Sequence, residues 1–166
     1  AAVILKNNID LILLKDSKKI NFKNRLIITD HIKDNSSYSI GIASVEEIFK
    51  FNILNASLLS MKRAIEKLVT KPELILIDGN FAPKGLKNYK TVIKGDEKIK
   101  CISAASIIAK THRDLLMIKL SQKFKNYSWE RNFGYGTKAH MEGLKKYGVT
   151  HHHRKGFKPI HNMLFD

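Results

Sequence analysis

Residues 74–77, Leu-Ile-Leu-Ile, form a continuous apolar run too short to make a helix of its own, which predicts a strand covered on both faces. Such a strand needs apolar partners, and the chain supplies them on either side. Upstream, Leu54, Leu58, Met61, Ile65 and Leu68 recur at steps of four, three, four and three, so they form one stripe along a helix. Lys71-Pro72 ends that pattern, because the residue before a proline disfavours the helical region. Downstream, a long helical pattern covers about 103–124, with Ala104, Ile107, Ile108, Leu115 and Ile118 predicted to face inward. Strands covered by long helices define an α/β chain.

The remaining signals fit the same class. Thr91-Val-Ile-Lys94 is β-branched at three positions, and residues 1–5 and 38–43 read as short strands with a helical stretch around 21–33 between them. Ser44-Val-Glu-Glu47 is a capping box that should start a helix. Thr137 to Tyr147 ends in Lys145 and Lys146 with Gly148 just past it, as a helix terminus should. With 166 residues and no linker, repeat or low-complexity segment, residues 1–166 are expected to form a single domain.

The one cysteine, Cys101, excludes an internal disulfide and points to a reduced, cytoplasmic setting. No apolar run approaches the roughly 18 residues of a membrane span. The balance of 30 Lys and Arg against 15 Asp and Glu leaves +15, a field suited to polyanions, although a lysine-rich surface alone would produce the same sum. GxGxxG, GxxxxGK[ST] and GxSxG loops are all missing, so nucleotide cofactors and serine hydrolysis have no support.

Two acids stand at predicted strand ends: Asp78 after LILI and before Gly79, and Asp96 after TVIK and Gly95. Ligand sites of α/β sheets collect at such ends, and oxygen donors there suit Mg²⁺ or Mn²⁺. Asp-Gly and Gly-Asp are equally ordinary turn chemistry, and if the two strands ran antiparallel as a hairpin their carboxyl ends would lie at opposite edges. Spacing leaves both alternatives open. Lys18, Ser106, Lys110, Arg113, Lys138 and Arg154 are residue types that bind phosphate, while Ser103 can serve as a helix cap and any single lysine as a solvated charge. Tyr135, between Gly134 and Gly136, can stack on a base or sugar, or pack with its hydroxyl bonded. His151-His152-His153 lacks the partners and spacing of a zinc site.

Read in order, LKDSKKI (14–20), residues 44–68, LILIDGN (74–80), VIKGDEK (92–98), SAASIIAKTHRD (103–114), GYGTKAH (134–140) and HRKGF (153–157) resemble bacterial ribonuclease HII along essentially the whole chain. The resemblance implies an RNase H-like mixed central sheet with covering helices. It also implies an active site of four carboxylates holding two divalent ions, Mg²⁺ or Mn²⁺, two of the carboxylates matching Asp78 and Asp96. The other two belong to a DEAGRG segment upstream of AAVIL, so the first strand and the Gly-Arg-Gly junction grip are expected to be missing. Just before GYGT the family usually has His-Lys-Gly-Tyr; this chain has Asn132-Phe133-Gly134-Tyr135. That basic pair does not carry over, although Tyr135 matches the tyrosine that packs on the junction sugar.

The implied reaction is two-metal hydrolysis of the RNA strand of RNA–DNA hybrids, and 5′ of ribonucleotides embedded in DNA, leaving 5′-phosphate and 3′-hydroxyl ends. Lys18, Ser106, Lys110, Arg113, Tyr135, Lys138 and Arg154 are the implied substrate contacts. The chain is expected to act as a monomer with no obligate protein partner and no membrane association. Without the upstream acids, residues 1–166 are expected to bind duplexes but cleave poorly, and to be weakened by a bare sheet edge. The alternative is a non-catalytic basic module that binds nucleic acid.

Overall fold

A computed structural model of the chain describes residues 1–6 and 20–165, which fall into two compact units. The first comprises Ala1–Ala43 and Leu54–Thr111, the second Ser44–Ile53 and His112–Asp166. Lys18 lies outside the described residues.

In the first unit β1 (Ala2–Leu5) pairs antiparallel with β2 (Ser36–Ser39), Ala2 facing Ser39. Between them runs α1 (Phe22–Asp34), started by Asn21, whose side chain accepts from the Asn24 amide at 2.9 Å. The expected strand at 38–43 is displaced to 36–39 for a definite reason. The carbonyls of Ile40 and Ile42 accept from Lys67 and Arg63 of α2 (Val45–Lys67) instead of from a ladder partner. Gly41 is required on that path, because a Cβ there would lie 1.9 Å from the Ser60 carbonyl oxygen.

The capping box forms: Ser44 N–H donates to Glu47 Oε2 at 2.8 Å, and Glu47 N–H to Ser44 Oγ at 3.2 Å. The helix it starts is broken at Asn52, whose φ of 66° and ψ of 167° are non-helical. Leu54, just beyond the break, is exposed, while Leu58, Met61 and Ile65 are half-buried and Leu68 is buried. The predicted stripe therefore holds in its C-terminal part.

β3 (Ile75–Asp78) pairs parallel with β4 (Tyr89–Val92). β3 is covered less than expected: Ile77 is buried, Ile75 and Leu76 are half-buried, and Leu74 is exposed. β4 begins two residues earlier than TVIK suggests and leaves Ile93 exposed. The short helix α3 (Gly95–Lys98) and the long α4 (Lys100–Lys123) follow. Ala104, Ile107 and Ile108 of α4 join Ile32 of α1 in a fully buried core, against which Val3, Leu5 and Ile40 pack. Thr29 and Thr111 close it with a buried hydroxyl–hydroxyl bond of 2.8 Å.

Leu115 does not face inward; it is 43% exposed. The buried stripe of α4 continues through Thr111, Asp114, Met117 and Ser121 at steps of three and four, so polar residues occupy positions that an apolar count assigns to its neighbours. In the second unit, a 3₁₀ turn (Lys125–Tyr127), α5 (Trp129–Asn132), α6 (Lys138–Tyr147) and α7 (Ile160–Phe165) surround a core of Met117, Tyr127, Trp129, Leu144 and Ile160. Gly143 lets α6 pass the 3₁₀ turn, because a Cβ there would sit 2.1 Å from the Asn126 carbonyl oxygen. Among the described residues no helix is long and apolar enough to cross a membrane.

Candidate functional site

The register of β3 and β4 resolves what spacing left open. Ile75 faces Tyr89 and Asp78 faces Val92 in a parallel pair, so both strands end at one rim. Gly79, at φ +91°, donates to the Val92 carbonyl at 2.9 Å and turns the chain there. Lys94 takes a left-handed conformation, and the amide of Gly95 then donates to Asp78 Oδ1 at 2.8 Å. Asp96 is the next residue, in the first turn of α3. Asp96 therefore follows directly on the residue whose amide bonds Asp78, with Asp78 exposed and Asp96 half-buried. Gly95 is buried, and a Cβ on it would approach Ile102 Cδ1 to 2.6 Å.

The donor set suits a hard cation. A carboxylate offers about four lone-pair positions, and the Gly95 amide takes one on Asp78. The described residues contain no cluster of three or more His, Cys, Asp or Glu side chains fit to hold a metal, so water and substrate oxygens would have to complete the shell. Mg²⁺ is commonly held in that manner, by one or two carboxylates plus phosphate.

Beside Asp78 lies a cavity of about 310 Å³, lined by β1, α2, β3 and α4, with Asp78 and Ser106 among its polar groups. β1 and β3 face this cavity and share no ladder, so the described strands form two two-stranded sheets. Cys101 lines it too, and burial pushes its thiol pKa up. Ser103 is not a cap: α4 starts at Lys100, which places Ser103 inside the helix and buries it. Lys110 follows Ser106 by one turn on α4 and is half-buried.

In the second unit Arg113 and Tyr135 both lie close enough to bear on the charge of Arg154. Arg113 Nη2 donates to the Phe133 carbonyl at 3.4 Å. Burial, and after it the Arg113 charge, lowers the pKa of Arg154, while Tyr135 raises it. The Tyr135 ring is 60% exposed, as the flanking glycines suggested. Lys138 is exposed at the start of α6, behind the Thr137 cap.

Sequence reasoning missed three residues here. Trp129, His140 and His153 are each at most 5% exposed. Trp129 Nε1 lies 3.2 Å from His140 Nε2, which lies 3.2 Å from His153 Nε2. His140 Nδ1 meets the Tyr135 carbonyl at 2.9 Å, and His153 Nδ1 accepts from the Thr150 amide at 3.0 Å. The signal was the His tract itself: His151 is exposed, His152 half-buried and His153 inside, a split that consecutive residues at a turn make possible.

Together, the antiparallel and parallel strand pairs and the long covering helices define the RNase H-like α/β class. The structure is similar to ribonuclease H2 from Pyrococcus horikoshii OT3, with a TM-score of 0.73 at 25% identity over 90% of this chain and 79% of that one. It is similar also to RNase HII in its PCNA complex from Archaeoglobus fulgidus, with a TM-score of 0.70 at 22% identity over 94% and 85%. The Ribonuclease HII family model matches residues 1–164, and ribonuclease HII of Pelagibacter ubique is 58% identical over 99% of this chain and 89% of its own length. The chain belongs to the ribonuclease HII family and is a ribonuclease H-type hydrolase.

Proposed function

We propose that the protein is an endonuclease that cuts the RNA strand of RNA–DNA hybrids, and 5′ of ribonucleotides embedded in DNA, and that its two units serve one catalytic domain in the cytoplasm. The observation that carries this reading is the parallel β3–β4 pair, with the Gly95 amide on Asp78 and Asp96 one residue further on. Asp78 and Asp96 would hold Mg²⁺ or Mn²⁺, which would activate water and stabilise the leaving 3′ oxygen. The Gly95 amide orients Asp78, so that its remaining lone pairs are presented to a ligand. Ser106, Lys110, Arg113, Lys138 and Arg154, with Lys18, hold phosphate and fix the strand's register without reading its sequence. Tyr135 offers its exposed ring to the sugar at the RNA–DNA junction.

The test is nicking of a duplex containing one ribonucleotide, with Mg²⁺ or Mn²⁺ present. With a DEAGRG segment placed ahead of Ala1, cutting on the 5′ side of the ribonucleotide is expected, with 5′-phosphate and 3′-hydroxyl ends, and Asp78→Asn should abolish it while leaving duplex affinity within a few-fold; residues 1–166 alone should bind the duplex and cleave it poorly. Undiminished cutting by Asp78→Asn would sink the assignment. A second reading, a basic module that binds without cleaving, draws on the +15 charge; it predicts steep salt dependence and intact strands.

A further inference from the structure

The backbone partners around His140 select one neutral tautomer for each ring, with the Thr150 hydroxyl, 2.9 Å from His153 Nδ1, free to rotate to suit it. A backbone amide can only donate, so the Thr150 N–H makes His153 Nδ1 an acceptor and puts the ring hydrogen of neutral His153 on Nε2. A carbonyl can only accept, so the Tyr135 oxygen puts the hydrogen of neutral His140 on Nδ1. His140 Nε2 is then left to accept from both Trp129 Nε1–H and His153 Nε2–H, each at 3.2 Å. The tautomer of each ring is set by the backbone group at its own Nδ1.

The end of that chain is the backbone of the exposed tyrosine. The Tyr135 carbonyl also accepts from the Thr137 amide at 2.8 Å, and the Tyr135 amide donates to Asn132 O at 2.8 Å. Asn132 is itself tied to the Tyr127 carbonyl through Nδ2 and accepts from Gly134 N–H through Oδ1. Two buried imidazoles and an indole therefore fix the peptide behind a ring that is itself exposed.

We infer that His140, locked by His153 and Trp129, is a positioning residue that sets the orientation of Tyr135 for contact with the ribonucleotide-bearing strand. This rests on the reading of Tyr135 as a substrate contact. A ring that must be ordered on binding gives up part of its stacking, so losing this orientation should weaken the contact it presents.

The decisive experiment is a double-mutant cycle on duplex affinity, measured without divalent ions on a duplex containing one ribonucleotide. Tyr135→Ala and His140→Leu should each weaken binding by about tenfold, the size of one stacking contact, and the double variant should be no weaker than either. His140→Asn, whose amide can still donate to the Tyr135 carbonyl, should recover most of the loss. Additive losses, or no loss in His140→Leu where Tyr135→Ala has one, would overturn the positioning role while leaving the Tyr135 contact standing. No loss in Tyr135→Ala would overturn both. A second readout needs no variant: imidazole ¹⁵N shifts of the unaltered protein at neutral pH should report hydrogen on Nδ1 of His140 and on Nε2 of His153, and the reverse assignment would contradict the network.

Discussion

Asp78 stands exposed at the end of β3, oriented by the Gly95 amide, whereas His140 is 5% exposed with both ring nitrogens engaged. An exposed carboxylate with lone pairs to spare is equipped to take a ligand. A buried imidazole whose donors and acceptors are all matched is equipped to hold a shape. The first unit thus holds an exposed carboxylate at a strand end, and the second keeps matched polar groups inside a core behind the exposed Tyr135.

The contrast can be broken by substitution and by pH. The largest expected effect is Trp129→Ala, which removes a ring stacked 5.1 Å from Tyr127 together with a donor to His140; a loss of about 3–5 kcal/mol is expected in chemical denaturation. Next comes acid. Burial, and after it the His140 charge, holds the His153 pKa at about 4, below its ordinary 6.5. Between those values the unfolded chain binds more protons than the folded one. The stabilisation is therefore complete above about pH 6.5 and lost as pH falls toward 4, by up to about 3 kcal/mol. The same sense of shift at His152, from burial and His151 ahead of an opposing Glu46 and a further Lys123, adds to it, and the Tyr127 ring on His153 stays neutral throughout this range. Melts across that range should steepen toward acid, and a His153→Gln variant should flatten the curve.

Two smaller effects follow, one in each unit. Gly95→Ala should cost about 1–3 kcal/mol by crowding Ile102, and it should weaken Mn²⁺ binding by moving the amide that orients Asp78. Ser44→Ala should cost about 1 kcal/mol by removing the capping box, without altering metal or duplex affinity.

What the residues announced beforehand was unequal in the same way. Asp78 and Asp96 could be found from an apolar run, a β-branched run and their glycines, but not the parallel pairing that puts their strand ends at one rim, because the connector FAPKGLKNYK permits either direction. α1, the Ser44 capping box and the 138–147 helix were readable because caps and periodicity are local signals. The end of β2 was not, since it depends on Arg63 and Lys67 reaching back from α2. Leu115 was misplaced because hydrophobicity is a poor guide on a helix whose buried stripe includes Asp114 and Thr111. The His140–His153 pair joins residues thirteen apart through ring nitrogens, a relation that no periodicity encodes.

The proposed cleavage depends most on Asp78 and Asp96 sharing a cation. Mn²⁺ binding followed by electron paramagnetic resonance, on the unaltered chain, Asp78→Asn, Asp96→Asn and the double variant, tests this directly. Each single change should weaken binding at least tenfold, with the double variant little worse than either. Affinity unaffected by both single changes would place the ion elsewhere and contradict the assignment.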